Sequence, residues 1–185
     1  MKTYIALLRG INVSGQKKIK MVDLKTMFEN LGFTSVTTYI QSGNIVFKSD
    51  KEDIDFLGHR IKERILETFG YDVPVLVLTP KTLKSIHQKN PFSKRIMSGE
   101  IEEKKMYFTL LGSAPETINP ETCIATSSDG EEFVITKNVV YFFAANGYGK
   151  TKLNNNFFEK KLKCSATTRN LKTLIKLLEI SKSNS

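Results

Sequence analysis

The alternation of apolar and polar positions divides the first 80 residues into six elements. Apolar residues at steps of three and four predict helices at residues 21–31 and 54–69; Asp53 caps the second, and Gly32 and Gly70 end them. Short apolar or alternating runs predict strands at residues 4–9, 36–41, 44–47 and 73–78. Pro74 predicts that the last of these is an edge strand. The order β-α-β-β-α-β is that of the ferredoxin-like, or split βαβ, fold.

The remainder of the chain shows a second, less regular set of elements. A helix begins at Thr79-Pro80, and residues 92–104 are polar and of mixed charge, which is typical of a linker. Strands are then predicted at residues 106–111, 132–136 and 139–144, and helices near 119–121 and at 153–162 and 169–180.

The two halves share short sequence similarities. Tyr107-Phe-Thr-Leu-Leu111 resembles Tyr4-Ile-Ala-Leu-Leu8, and Asn138-Val-Val-Tyr141 resembles Asn44-Ile-Val-Phe47. We therefore predict an α+β protein of two related ferredoxin-like subdomains with antiparallel sheets. Their predicted ranges are residues 1–79 and 105–185, the second with an extra C-terminal helix, joined by a helix and linker at residues 80–104.

The composition is that of a globular protein: 40% of the 185 residues are hydrophobic and 25% are charged. The longest apolar run, residues 139–145, is far shorter than the ~20 residues that span a bilayer. Cys123 and Cys164 lack both CxxC spacing and a nearby histidine cluster, which favours reduced, buried thiols. We expect a cytoplasmic protein with no metal, no cofactor and no membrane partner.

The net charge of +9 is unevenly distributed. Residues 146–185 hold nine Lys and Arg residues against Glu159 and Glu179, a net charge of +7. Such a segment suits nucleic acid or acidic small molecules, and it equally suits a solvated helix face.

Cationic residues gather where the first strand ends. Arg9 is the last residue of that strand, a loop from Gly10 to Gly15 follows, and Lys17, Lys18 and Lys20 precede the first helix. This pattern is suited to an anion. A buried guanidinium needs either a carboxylate of the chain or a ligand as its partner, and both interpretations stand.

The predicted hairpin tip Gln41-Ser42-Gly43-Asn44 is a second polar group. Turn chemistry explains Ser42 and Gly43 but leaves Gln41 without a reason. Ser42 lies in no G-x-S-x-G motif and has no evident histidine base, so a role as nucleophile has little support. No pair of carboxylates has a spacing that suggests acid–base catalysis, and whether the protein is an enzyme stays open.

The stretch Ala144-Ala-Asn-Gly-Tyr-Gly-Lys-Thr151 differs from the phosphate-binding G-x-x-x-x-G-K-[ST] motif at its first position. The predicted antiparallel hairpin around it argues against a nucleotide hydrolase, whose fold uses parallel βαβ units. Gly147 and Gly149 could still form an anion nest, with Lys150 and a helix N-terminus beside it. The alternative is a hairpin exit in which the glycines supply positive φ.

The last group precedes the C-terminal helix, at Thr167-Thr-Arg-Asn170. Thr168 or Asn170 can cap that helix. A cation in the first turn opposes the helix dipole, so Arg169 needs another reason to be there, such as an acidic partner or an anionic ligand.

Four stretches resemble a bacterial family catalogued as domain of unknown function 1697. They are Tyr4–Gly15, Thr38–Phe47, Asn90-Pro-Phe92 and Thr167–Asn170. The resemblance implies a cytoplasmic α+β protein of two subdomains and no established activity. Its signature positions fall on Arg9, Gly10, Asn12, Gly15, Gln41, Ser42, Gly43, Asn44, Arg169 and Asn170.

Our leading hypothesis is a protein that binds a phosphate- or carboxylate-bearing ligand in a cleft between the two halves, because polar and cationic residues lie at several element ends. The alternatives are a nucleic-acid-binding module that uses the basic C-terminal face and a scaffold for a protein partner. The candidate ligand residues are Arg9, Asn12, Lys17, Gln41, Ser42, Asn44, Gly147, Gly149, Lys150, Arg169 and Asn170.

Overall fold

The computed structural model describes residues 1–13, 15–116 and 126–184. The helix predicted near residues 119–121 and the thiol of Cys123 lie outside these ranges. Within the ranges, no helix is both long enough and apolar enough to cross a membrane. The chain divides into two compact units, the first made of Met1–Ser85 together with the C-terminal residues from Lys176, and the second of Ile86–Ile175.

The described residues form eight strands, six α-helices and two 3-10 turns. The strands are β1 (Lys2–Leu8), β2 (Thr34–Tyr39), β3 (Asn44–Ser49), β4 (Val75–Leu78), β5 (Met106–Leu111), β6 (Glu132–Ile135), β7 (Val139–Phe143) and β8 (Ala166–Asn170). The helices are α1 (Met21–Asn30), α2 (Ile54–Phe69), α3 (Pro80–Gln88), α4 (Ser93–Met97), α5 (Asn155–Leu162) and α6 (Leu171–Ser183), and the 3-10 turns are Glu103–Lys105 and Tyr148–Lys150.

The first unit contains an antiparallel sheet with the strand order β2-β3-β1-β4. In the centre, Tyr4 lies opposite Phe47 of β3, and Leu8 lies opposite Val75 of β4. Helices α1 and α2 pack on one face, where the ring of Phe28 meets that of Phe47 edge to face at 5.5 Å. β4 pairs with β1 alone and is an edge strand, as its proline predicts.

The second unit contains an antiparallel sheet with the order β6-β7-β5-β8. Tyr107 of β5 lies opposite Phe142 of β7, and Leu111 lies opposite Ala166 of β8. Helix α5 packs on this sheet through Phe158, whose ring lies 6.2 Å from that of Phe142. Two four-stranded antiparallel sheets with mixed helices confirm the α+β class.

The two sheets repeat one another strand for strand, with β5 to β8 in the places of β1 to β4. The backbone amide of Leu8 donates to the carbonyl of Gly43 at 2.8 Å, and that of Leu111 donates to the carbonyl of Asn138 at 2.9 Å. Asn138 is therefore equivalent to Gly43, one residue away from the predicted match with Asn44.

The repeat includes the helix that follows each sheet. Thr79 Oγ1 accepts a hydrogen bond from the amide of Thr82 at 3.1 Å, and Asn170 Oδ1 accepts one from the amide of Thr173 at 2.9 Å. Helices α3 and α6 thus begin at equivalent positions with equivalent caps. The division between the units falls inside both helices, which is why its limits differ from the predicted ranges.

The predicted linker at residues 92–104 contains helix α4 and a 3-10 turn. Arg95 of α4 donates two hydrogen bonds to the carboxylate of Glu132 at 2.7 and 2.8 Å and a third to Glu100 at 2.6 Å. These bonds raise the pKa of Arg95 and lower that of Glu132. The ion pairs attach α4 to the strand β6 and order a segment whose composition is that of a loop.

Strand β8 was not predicted from the sequence, and the last helix begins two residues later than predicted. Residues Ala166–Asn170 pair with β5, and α6 begins at Leu171. Arg169 is therefore a strand residue, and the helix-dipole argument does not apply to it. The predicted cap at Asn170 is confirmed.

Candidate functional site

Three segments of the first unit meet at one end of its sheet. Because β1 is antiparallel to β3 and β4, the end of β1 lies beside the β2–β3 turn and beside the residues that precede β4. The amide of Arg9 donates to the carbonyl of Pro74 at 3.0 Å, and the amide of Leu8 donates to that of Gly43 at 2.8 Å. The first two polar groups of the sequence analysis are thus brought together.

Left-handed backbone conformations are concentrated at this end of the first unit. Among the described non-glycine residues, positive φ occurs here at Asn12 (55°), Lys17 (44°) and Ile40 (48°), and elsewhere at Ser35 and Lys163. The last two have ordinary explanations, a β-bulge and a helix C-cap. This conformation costs most non-glycine residues about 1–2 kcal/mol; asparagine adopts it more readily, and the β-branched Ile40 is especially unfavourable. Gly10, Gly15 and Gly43 also have positive φ.

The side chain of Asn12 fixes the loop that follows β1. Its Nδ2 donates to the carbonyls of Ile19 at 2.8 Å and Gln41 at 2.9 Å, and its Oδ1 accepts from the amide of Ile19 at 2.9 Å. The amide of Asn12 donates to the carbonyl of Lys17 at 3.2 Å. Asn12 therefore closes the loop on itself and ties it to the β2–β3 turn, which leaves its amide group little freedom to turn toward a ligand.

The β2–β3 turn is packed tightly against β1. A Cβ atom added to Gly43 would lie 2.6 Å from Cβ of Leu8, and φ at Gly43 is 72°. Asn44 is fully buried; its Nδ2 donates to the carbonyl of Tyr39 at 3.1 Å and to Ser42 Oγ at 2.9 Å. The side chain of Gln41 is exposed. Ser42 and Asn44 thus support the turn, and Gln41 is the member of the tip that reaches solvent.

Cationic residues are concentrated in the segment that follows β1. Residues 9–20 contain Arg9, Lys17, Lys18 and Lys20 and no acidic residue. Arg9 and Lys17 are half-buried, and Lys17 Nζ donates to the carbonyl of Asp72 at 2.5 Å. Lys18 and Lys20 are exposed. The combined charge makes this end of the sheet attractive to an anion.

The glycine-rich loop of the second unit has the conformation of a hairpin exit. β6 and β7 pair antiparallel, which excludes the parallel βαβ context of a nucleotide hydrolase. Gly147 has φ 87°; its amide donates to the carbonyl of Ala144 at 2.8 Å, and the amide of Lys150 donates to that of Gly147 at 3.1 Å. These two amides, which a nest would direct at an anion, bond to the loop itself. Gly149 and Lys150 are exposed.

Arg169 is a buried cation in the outer strand of the second sheet. Only 9% of its surface is exposed, and its Nη1 donates to Thr167 Oγ1 and to the carbonyl of Thr168, both at 2.9 Å. Burial lowers the pKa of the guanidinium to about 10, and Tyr148 acts weakly in the opposite direction. Asn170 serves as the cap of α6.

A polar network that the sequence analysis did not anticipate lies beside Arg169. Thr109 Oγ1 and Thr168 Oγ1 share a hydrogen bond of 2.9 Å, Thr168 Oγ1 donates to Asn155 Oδ1 at 3.0 Å, and the amide of Asn155 donates to the Tyr148 hydroxyl at 2.9 Å. The ring of Tyr148 stacks on that of Tyr107 at 4.5 Å. Burial raises the pKa of Tyr148. The β-branched pair Thr167-Thr168 is typical of a strand. If residues 166–170 had been predicted as a strand, the contact of Thr168 with the neighbouring strand could have been predicted as well.

The described part of the chain contains no cluster of metal-binding side chains, and its histidines have surface environments. No group of three or more His, Cys, Asp or Glu residues there could hold a metal ion. His59 lies exposed on α2, 3.3 Å from Glu63, where it has the surroundings of a surface residue.

Comparisons with known proteins bear on the family and the fold. A family model described as "Protein of unknown function (DUF1697)" matches residues 1–141. The solved structure of the conserved bacterial protein SP0830 from Streptococcus pneumoniae is similar, with a TM-score of 0.68 and 24% sequence identity over 97% of this chain and 98% of that one. At this identity the likeness shows the fold alone. No curated protein matches the chain.

Proposed function

The chain belongs to the DUF1697 family of proteins of unknown function, and from its site we propose that it binds an anionic small molecule at the Arg9 end of the first unit. The observation that supports this proposal is the concentration of left-handed residues there, at Asn12, Lys17 and Ile40. Backbone strain of this kind is retained where it serves a function.

The positive charge of the nearby side chains favours a negatively charged ligand. Arg9, Lys17, Lys18 and Lys20 supply positive charge without an acidic residue among residues 9–20. The exposed amide of Gln41 adds a neutral donor and acceptor. A guanidinium favours phosphate or carboxylate because its planar fork can bind two oxygens at once.

The rigid framework is the second support for the proposal. The bonds of Asn12 to Ile19 and Gln41 hold the loop and the turn together before a ligand arrives. A loop ordered in advance loses less conformational entropy on binding. Asn12, Ser42 and Asn44 act here as positioning residues, with Arg9, Lys17 and Gln41 as the groups that contact the ligand.

We also propose that the first unit has the ferredoxin-like fold and that the protein is cytoplasmic. The strand order β2-β3-β1-β4 supports a ferredoxin-like arrangement of the first unit. The low cysteine content, two among 185 residues, supports a reducing, cytoplasmic setting.

Thermal unfolding with a panel of anions tests the binding. The panel contains inorganic phosphate, nucleotides, sugar phosphates, acyl phosphates and dicarboxylates, each measured at low and high salt. A ligand at a hundred times its Kd stabilises by about 2.7 kcal/mol, which raises Tm by roughly 5–11 °C for a chain of this size. We expect such a shift from one class of anion.

Three variants locate the site. Arg9→Met should abolish the shift, whereas Arg64→Met, which removes a guanidinium from the exposed face of α2, should keep it. Arg169→Met tests the second unit. A shift that survives in Arg9→Met and disappears in Arg169→Met would place the ligand at Arg169 and overturn the proposal, as would the absence of a shift with every anion.

A further inference from the structure

Helix α5 and the turn before it carry an unusual density of lysines. Residues 150–163 hold Lys150, Lys152, Lys160, Lys161 and Lys163, and all five are exposed. The one acidic residue in this stretch, Glu159, accepts the amide of Ala166 at 2.8 Å. We call these five lysines and α5 the α5 surface.

The lysines of the α5 surface form no ion pairs with carboxylates of the described residues. Across the described residues, ion pairs bind lysines at positions 2, 25, 51, 62, 104, 105 and 176, and none binds a lysine of the α5 surface. Lys161 Nζ instead lies 6.0 Å from the ring centre of Phe157. The positive charge of this surface is therefore open to an external partner.

The helix dipole explains only part of this arrangement. Lys160, Lys161 and Lys163 lie at the C-terminal end of α5, where cations are favourable. Lys150 and Lys152 precede its N-terminal end, where cations are unfavourable, and the bond from the amide of Asn155 to the Tyr148 hydroxyl holds their turn against that end. A stabilising role for α5 would not place lysines at both ends.

We propose that the α5 surface binds the phosphate backbone of nucleic acid. A helix of eight residues is about 12 Å long, and a nucleic acid strand carries one phosphate per roughly 3.4 Å of duplex axis, so the surface can contact several phosphates at once. Lysine is a flexible point charge that suits phosphates without selecting bases. The α5 surface lies in the second unit and does not depend on the Arg9 site.

Fluorescence anisotropy with a labelled 20-nucleotide oligouridylate tests this proposal. We expect affinity to fall with salt, with a log–log slope of about −0.7 for each phosphate contacted. The double variant Lys160→Glu/Lys161→Glu should bind at least tenfold more weakly and reduce the magnitude of the slope by about 1.4, as expected from the loss of two contacts.

The matched control is Lys81→Glu/Lys84→Glu, which changes two exposed lysines of α3 and alters the net charge by the same amount. It should bind like the unaltered chain. Equal weakening by both double variants would show a net-charge effect and overturn the proposal. Failure to bind the oligonucleotide at low salt, or binding that ignores salt or requires one base sequence, would also overturn it.

Discussion

The tight packing of Gly43 against β1 predicts an unequal response of two glycines to the same substitution. Gly43 and Gly70 have nearly equal φ angles, 72° and 74°, and both belong to the first unit. A Cβ atom at Gly43 would lie 2.6 Å from Cβ of Leu8, whereas one at Gly70 would have nothing within 4 Å. The pair thus separates the cost of packing from the cost of backbone conformation.

The expected magnitudes follow from these contacts. Alanine in the left-handed region costs about 1–2 kcal/mol at either position. At Gly43 the clash is with a Cβ atom fixed to the backbone of β1, and overpacking adds about 1–3 kcal/mol. The loss of unfolded-state entropy on replacing glycine is common to both variants and cancels in their difference. Gly43→Ala should therefore be about 1–3 kcal/mol less stable than Gly70→Ala.

Urea unfolding followed by far-ultraviolet circular dichroism measures this difference. The midpoint for Gly43→Ala should lie below that for Gly70→Ala, with the same slope against urea concentration. Gly43→Ala should also weaken anion binding, since the turn that carries Gln41 would move away from Arg9. Equal midpoints for the two variants would refute the packing argument and with it the rigidity assigned to this end of the sheet.

Three further predictions concern other named contacts. Asn12→Gly keeps the left-handed conformation and removes the side-chain bonds, so it should lower the free energy of unfolding by about 1–3 kcal/mol in the same urea experiment; an unchanged midpoint would contradict the role of Asn12. The hydrogen bonds from Arg95 lower the pKa of Glu132 from its ordinary value of 4.5. The ion pair therefore stabilises the folded state fully above pH 4.5, and this stabilisation is lost as the pH falls through the lowered pKa. Glu132→Gln should flatten the loss of Tm between pH 5 and 3. Cys164 is buried and its burial raises the pKa of the thiol, so it should react slowly with iodoacetamide in the folded protein and faster as the protein unfolds, which mass spectrometry can follow.

Elements with strong local signals could be predicted from the sequence. Helix α2 is an example, because its apolar face repeats at helical spacing and its two ends have their own chemical signals. Asp53 Oδ1 accepts the amides of Asp55 and Phe56, and Gly70 closes the helix with a left-handed conformation. Such signals lie within a few residues of the structure that they determine.

Elements fixed by distant partners could not be predicted in the same way. Strand β8 has the polar sequence Ala-Thr-Thr-Arg-Asn and becomes a strand by pairing with β5, about 60 residues earlier in the chain. Helix α4 is tied to the second sheet by the ion pair of Arg95 with Glu132, 37 residues away. The network of Thr109, Thr168 and Tyr148 was missed for the same reason, since it exists only once β5 and β8 are paired.

Comparing equivalent positions of the two sheets shows which residues a sheet of this kind needs in order to form. In the first unit Ala6 lies opposite Val77, and the equivalent pair in the second unit is Thr109 opposite Thr168. By the same register, Arg169 occupies the place of Leu78. Since the first sheet forms with apolar residues at these places, the sheet architecture does not require the polar residues of the second.

The repeat also shows which residues at the end of β1 are not required by the first sheet. The amide of Arg9 donates to Pro74 as the amide of Gly112 donates to Ser165, so a strand end of this geometry needs no arginine. Asn44 likewise corresponds to Val139 in the second sheet. The repeated fold uses glycine and valine at these two positions, so the sheet itself requires neither Arg9 nor Asn44. Asn44 is explained by its hydrogen bonds within the β2–β3 turn. Arg9 has no such structural counterpart in the second unit, which agrees with the proposed role in anion binding.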